Sequence, residues 1–139
     1  MEMKHEIGAL ILRVVLGVIF LVHGVVKFQD GIENTAGWFS SIGLPGFMAY
    51  AVALLETIGG VALIVGLGIR IFSVLFALLM AGAILKVKLA AGFLGNGQQT
   101  GYEFDLALLA MTVYLALNGN KLYSLDQWIS KRKAGNGNV

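Results

Sequence analysis

From Ile7 to Val26 the chain runs through apolar side chains, broken only by Arg13 and His23. A run of roughly 20 such residues matches the hydrocarbon core of a bilayer when coiled as an α-helix. Few other folds are open to it, because backbone exposed to lipid must satisfy its own hydrogen bonds. Three further runs follow. Phe47 to Leu67 is interrupted by Glu56 alone. Ile71 to Leu85 reaches Leu89 if Lys86 and Lys88 carry their ammonium groups outward. Leu106 to Leu117 extends back to Tyr102. The expected fold is all-α and integral to the membrane. It is a single domain with a four-transmembrane-helix bundle, its spans at about 7–27, 47–67, 70–89 and 102–118.

Composition supports the same reading. Of the 139 residues, 58% are hydrophobic and 13% charged, where a soluble domain carries about 25% charge. A core this small cannot hide that much apolar surface, so lipid must cover much of it. The absence of cysteine excludes a disulfide framework, a CxxC redox pair and a thiolate-held cluster. A net charge of +2, with no recognition motif, predicts no nucleic-acid partner. The first run is too long for a signal-peptide core and has no small-x-small site before His23 and Lys27, so it is expected to be retained.

The connections are expected to be short and polar. Residues 29–46 read as a Gly-rich loop with Trp38 and Phe39 in an interfacial belt, ending in the turn Gly43-Leu44-Pro45-Gly46. Thr100-x-x-Glu103 reads as a capping box opening the fourth helix. Ser124-x-x-Gln127 opens a short C-terminal amphipathic segment carrying Trp128 and Ile129, expected on the membrane surface. The tail from Lys131 to Val139 is basic, then Gly/Asn-rich, and is expected to be disordered. Lys4, Arg70, Lys121, Lys131, Arg132 and Lys133 fall on the side of the termini, which the positive-inside rule places in the cytoplasm.

Ionisable residues inside spans cost about 2.5–3.5 kcal/mol each on insertion and therefore face the bundle or a wet cavity. Arg13, His23 and Lys27 share one face of the first helix, with Gly17, Phe20 and Gly24. Glu56 lies about 13 Å below the outer end of the second helix. Lys86, Lys88, Tyr102, Glu103 and Asp105 gather at that same outer end. A polar pocket above apolar walls is expected there. Structural readings remain beside it. Glu56 can pair with Lys27, Lys86 or Arg13 to fix helix register. Glu103 can serve its capping box, and Asp105 the helix dipole. One of Lys86 and Lys88 can reach toward headgroups, and Arg13 can anchor topology. His23 has no second buried histidine, so no metal site is predicted.

His23-Gly24-x-x-Lys27, Gly43-Leu44-Pro45, Glu56-x-x-Gly59-Gly60 and Gly101-Tyr102-Glu103, in this order, resemble the DoxX family from about Ile7 to Leu125. The likeness is greatest to members described as oxidoreductases. It implies a four-helix protein of the bacterial inner membrane, linked to redox stress and to quinone or aromatic detoxification. Carried over, the family's polar positions fall on His23, Lys27, Glu56 and Glu103. The implied activity is that of an oxidoreductase component acting with quinones or catechol-type compounds. Glu56 and His23 are its candidate catalytic residues, and Lys27, Glu103, Tyr102 and Lys86 its candidate substrate-binding residues. No dinucleotide fingerprint or haem ligand set is present, so the redox group must be brought to the chain. A quinone is the candidate cofactor, and a soluble or membrane redox protein the candidate partner beside the lipid bilayer. Two other classes stand against this reading. One is a non-catalytic anchor or scaffold for a soluble redox enzyme. The other is an exporter of small aromatic compounds, which four helices could form only as a homo-oligomer.

Overall fold

The computed structural model describes residues 2–136. Helix α1 (Glu2–Gln29) contains the whole first apolar run, and α3 (Phe47–Val65) the second. Helix α4 (Ile69–Ala83) continues through a π-helical turn (Ile84–Lys88) and a 3-10 turn (Leu89–Ala91), and α5 (Glu103–Asn118) follows. Together they form the expected all-α membrane bundle, with no extended strand among the described residues. Three of these columns are long and apolar enough to cross a bilayer by themselves, with mean hydropathies of 2.5, 2.0 and 2.1. The fourth, α5, has 16 residues and rises about 24 Å, short of a hydrocarbon core of about 30 Å. It completes the bundle by lying along α4.

The four helices form two tight pairs, α1 with α3 and α4 with α5, joined to each other less extensively. Glycine makes the first pair close. A Cβ on Gly60 would sit 2.6 Å from the Leu21 amide nitrogen and 2.7 Å from the Gly17 carbonyl oxygen. Only hydrogen fits there, so the two backbones approach directly. Between the pairs lies a small core that includes Leu16, Leu63, Phe76 and Leu115, each fully buried. Phe20 and Phe76 stack across it with ring centroids 3.8 Å apart and planes 3° from parallel. Val18, Ile58, Ile71, Leu78 and Leu117 point outward, as lipid-facing side chains must.

At one end a polar knot ties the pairs together. Arg13, only 1% exposed, donates from Nη1 to Asn120 Oδ1 (2.8 Å) and the Leu122 carbonyl (3.2 Å), and from Nη2 to the Tyr123 carbonyl (3.0 Å). Asn120 Nδ2 donates onward to Glu6 Oε2 (2.7 Å). That oxygen also accepts from the backbone N–H groups of Lys121 and Leu122. Arg13 is thus far more than a topology anchor: it holds the segment that follows α5.

The final helix, α6 (Leu125–Asn136), docks beside this knot. Ser124 Oγ accepts from the Gln127 N–H at 3.1 Å, as its capping pattern predicted. The Asp126 carboxylate accepts from the N–H groups of Gly68 (2.8 Å) and Ile69 (3.0 Å), capping α4 from a distant part of the chain. Gly66 ends α3 with φ 78°, and its missing Cβ leaves room for Ser124 and Arg13. Helix continues to Asn136, so most of the basic tail is ordered rather than disordered. The last part of that expectation, 137–139, lies outside the described residues.

Two connections differ from expectation. The first loop contains a helix, α2 (Ile32–Ser41). Its Phe39 is buried rather than held in an interfacial belt. The Thr100–Glu103 capping box does not form: Tyr102 is the N-cap residue, with no side-chain cap. Thr100 instead bridges to Gly95 across a small loop, where Asn96 Oδ1 accepts from the Gln98 and Gln99 N–H groups. Thr100 thus sits two residues before the N-cap Tyr102 and outside the capping position.

Candidate ligand site between the helix pairs

At the end opposite the knot the two pairs diverge around a cavity of about 440 Å³, within the usual range for small-molecule sites. Helix α1 supplies Ile19, Phe20, His23 and Lys27, and α3 supplies Met48, Val52 and Glu56. Facing them are Leu79, Met80 and Ala83 of α4, Lys86 and Lys88 of the π turn, and Phe104, Asp105 and Leu108 of α5. Trp38, Phe39 and Leu44 close one side from α2 and its turn. The walls are mostly hydrocarbon and aromatic, and the polar groups are few.

Each helix pair carries one ion pair. Lys27 Nζ stands 3.0 Å from both Glu56 oxygens, linking the end of α1 to the middle of α3. The Glu56 side chain is 7% exposed and that of Lys27 25%. Of the three partners the sequence offered Glu56, the structure selects Lys27; Arg13 is at the other end of the bundle, in the knot. Lys88 Nζ stands 3.0 Å from Asp105 Oδ2, linking the π turn to the start of α5. Asp105 is 6% exposed, so beyond any interaction with the helix dipole it has a direct cationic partner. Burying a carboxylate is unfavourable without a compensating cation, and each lysine supplies one.

His23 lies one turn before Lys27 on the cavity wall. Its Nδ1 is 2.8 Å from the Ile19 carbonyl oxygen. A carbonyl can only accept, so Nδ1 carries the hydrogen. In the neutral ring Nε2 is then left as an acceptor. The ring packs near Phe104, with centroids 6.2 Å apart.

The structure therefore brings His23, Lys27, Glu56 and Lys86 to one cavity. It does not bring Tyr102 or Glu103 there. Tyr102 packs edge-on against Phe93, and the Glu103 side chain is exposed. Tyr102 is the N-cap of α5 and Glu103 its first residue, just before the wall residues Phe104 and Asp105. Among wall residues not singled out from the sequence are Lys88 and Asp105 as a pair, Phe104, and the aromatic cover of α2. Ile32, Ala36 and Phe39 recur at helical spacing and were the available signal for that cover. Among the described residues no cluster of His, Asp and Glu could hold a metal ion.

A membrane-embedded helical bundle with an ion-paired, largely apolar cavity at one end is the class of protein that these features define. The chain belongs to the DoxX family, whose family model matches residues 8–89. It is 52% identical over 139 residues to "Putative oxidoreductase CatD" of Bacillus subtilis, covering all of this chain and 98% of that one. It is 32% identical over 136 residues to an uncharacterised membrane protein of Mycobacterium tuberculosis, with 91% of this chain and 83% of the other covered. It is 27% identical over 135 residues to the Escherichia coli inner membrane protein YqjF, with 95% and 99% covered. No solved structure matches it.

Proposed function

We propose that the protein is a membrane oxidoreductase component acting on quinone- or catechol-type compounds. One observation carries the reading: an apolar cavity of about 440 Å³ has its ionisable groups at the same end. Such a site suits a ring with polar oxygens at one edge. The relative named as an oxidoreductase, similar along the whole chain, supports it. Reduction of a quinone to a quinol takes two electrons and two protons. The sequence has no redox motif of its own, so the electrons would come from a bound quinone or flavin or from a second protein, such as one carrying a reduced flavin.

The residues then divide the work. Glu56, with both oxygens on Lys27, holds that ammonium in place. Lys27 offers its remaining hydrogen to an oxygen that gains negative charge on reduction. His23, tied at Nδ1 and open at Nε2, hands over and recovers protons. In this reading the cavity end faces away from the cytoplasm, and both termini lie on the cytoplasmic side of a bacterial cell membrane. Protein in lipid discs, supplied with a quinone and a reduced flavoprotein, should bind the quinone and turn it over. Neither binding nor turnover, with several flavoproteins tried, would remove the reading.

The anchor reading keeps one specific support, the exposed Lys131, Arg132 and Lys133 on α6. A chain ending after Ser130 tests it, since Ser124 and Asp126 must stay to hold the bundle. Loss of a co-purifying partner with ligand binding intact favours the anchor.

A further inference from the structure

The charges around the cavity do not cancel. Its wall contains two carboxylates, Glu56 and Asp105, and three ammonium groups, those of Lys27, Lys86 and Lys88. Each carboxylate is matched at 3.0 Å by one lysine, Glu56 by Lys27 and Asp105 by Lys88. Lys86 is left over. Among the described residues no carboxylate stands within ion-pair distance of it. His23 adds no negative charge in either protonation state. Lys86 is exposed and also lines the cavity, so its ammonium is open to an anion that enters.

The backbone supports the same point independently. Lys86 and Lys88 both line the cavity, and they do so from a π turn over Ile84–Lys88 that interrupts the regular helix. Such turns are rare and occur frequently at functional sites. Asp105 accounts for Lys88. Lys86 has no such carboxylate partner among the described residues.

We infer that the cavity takes a singly charged anion with an apolar body, and that Lys86 is the residue that selects for the charge. A carboxylate or ionised hydroxyl on an aromatic ring has the required chemistry: the ring against Phe20, Met80 and Phe104, the anion on Lys86. Lys86 is a specificity residue in this role, distinct from the proton handling given to His23. The inference rests on the cavity being the ligand site and is independent of whether electrons move there.

The test uses two probes of nearly equal shape, 2-naphthoate and neutral 2-naphthamide. Equilibrium dialysis against the full chain in discs of zwitterionic lipid measures both, with empty discs subtracted. The wild type should bind the naphthoate about tenfold tighter than the amide. Lys86→Gln should erase that preference while keeping amide binding, and Lys86→Arg should retain it. Amide binding by Lys86→Gln doubles as the control for its fold. Equal affinity of the wild type for the two probes overturns the inference, as does a preference that survives Lys86→Gln. Saturable binding of neither probe overturns it together with the ligand-site reading. A clear preference without quinone turnover upholds it and removes the redox reading alone.

Discussion

Single charged residues in this bundle act through the partner they would abandon. Removing the Lys27 ammonium leaves the Glu56 carboxylate 7% exposed with no cation. Lys27→Met should therefore cost about 2 kcal/mol, less than the 3–5 kcal/mol of a fully buried pair because Lys27 remains partly exposed. Glu56→Gln should cost less, since the lysine can reach water. The double variant should recover part of the loss, and melting temperatures of the four proteins measure that coupling. At the knot, burial pushes the Glu6 carboxyl up. The N–H groups of Lys121 and Leu122, the Asn120 amide and the Lys121 charge outweigh it and hold the carboxyl below its ordinary value of 4.5. A carboxyl depressed on folding adds stability that is complete above the unfolded value. That stability fades as the pH falls from there through the lower, folded value. Wild type should thus lose melting temperature below about pH 4.5 more steeply than Glu6→Gln, as a pair of thermal scans across that range would register.

Helices here are placed by glycine on one side and by capping on the other. The α1–α3 contact has no space for a methyl group at position 60, where the neighbours are backbone atoms that cannot swing aside. Gly60→Ala should separate the two helices at a cost of about 1–3 kcal/mol, visible as a lower melting temperature. Gly82→Ala, with nothing within 4 Å of its added methyl, is the control. Apolar length and glycine placement made α1 and α3 legible in the sequence. Three local features were not legible, each because a tertiary partner decided it. Phe39 became a cavity cover since α3 lay beside α2. Asp105 met Lys88 across the connection between α4 and α5. Asp126 caps α4 from more than fifty residues away, which no local pattern can announce.

The whole bundle has a polarity that the cysteine-free sequence makes easy to measure. If both termini lie in the cytoplasm, as proposed, a cysteine at Ser130 should resist an impermeant thiol reagent in intact cells. A cysteine at Glu33, on α2 at the other end, should react. Labelling in the reverse sense would invert the assigned orientation. The depth of the ionisable residues was readable from helix rise alone, and so was their convergence on one end. Their pairing was not, because three lysines compete for two carboxylates and only side-chain geometry chooses among them. The knot at Arg13 has a mechanical consequence of its own. Two stiff rods fastened at one end and parted at the other behave as tweezers, with the fastening as fulcrum. If the cavity holds a ligand as proposed, loosening Arg13 should alter how fast that ligand is released, at a site the arginine never touches.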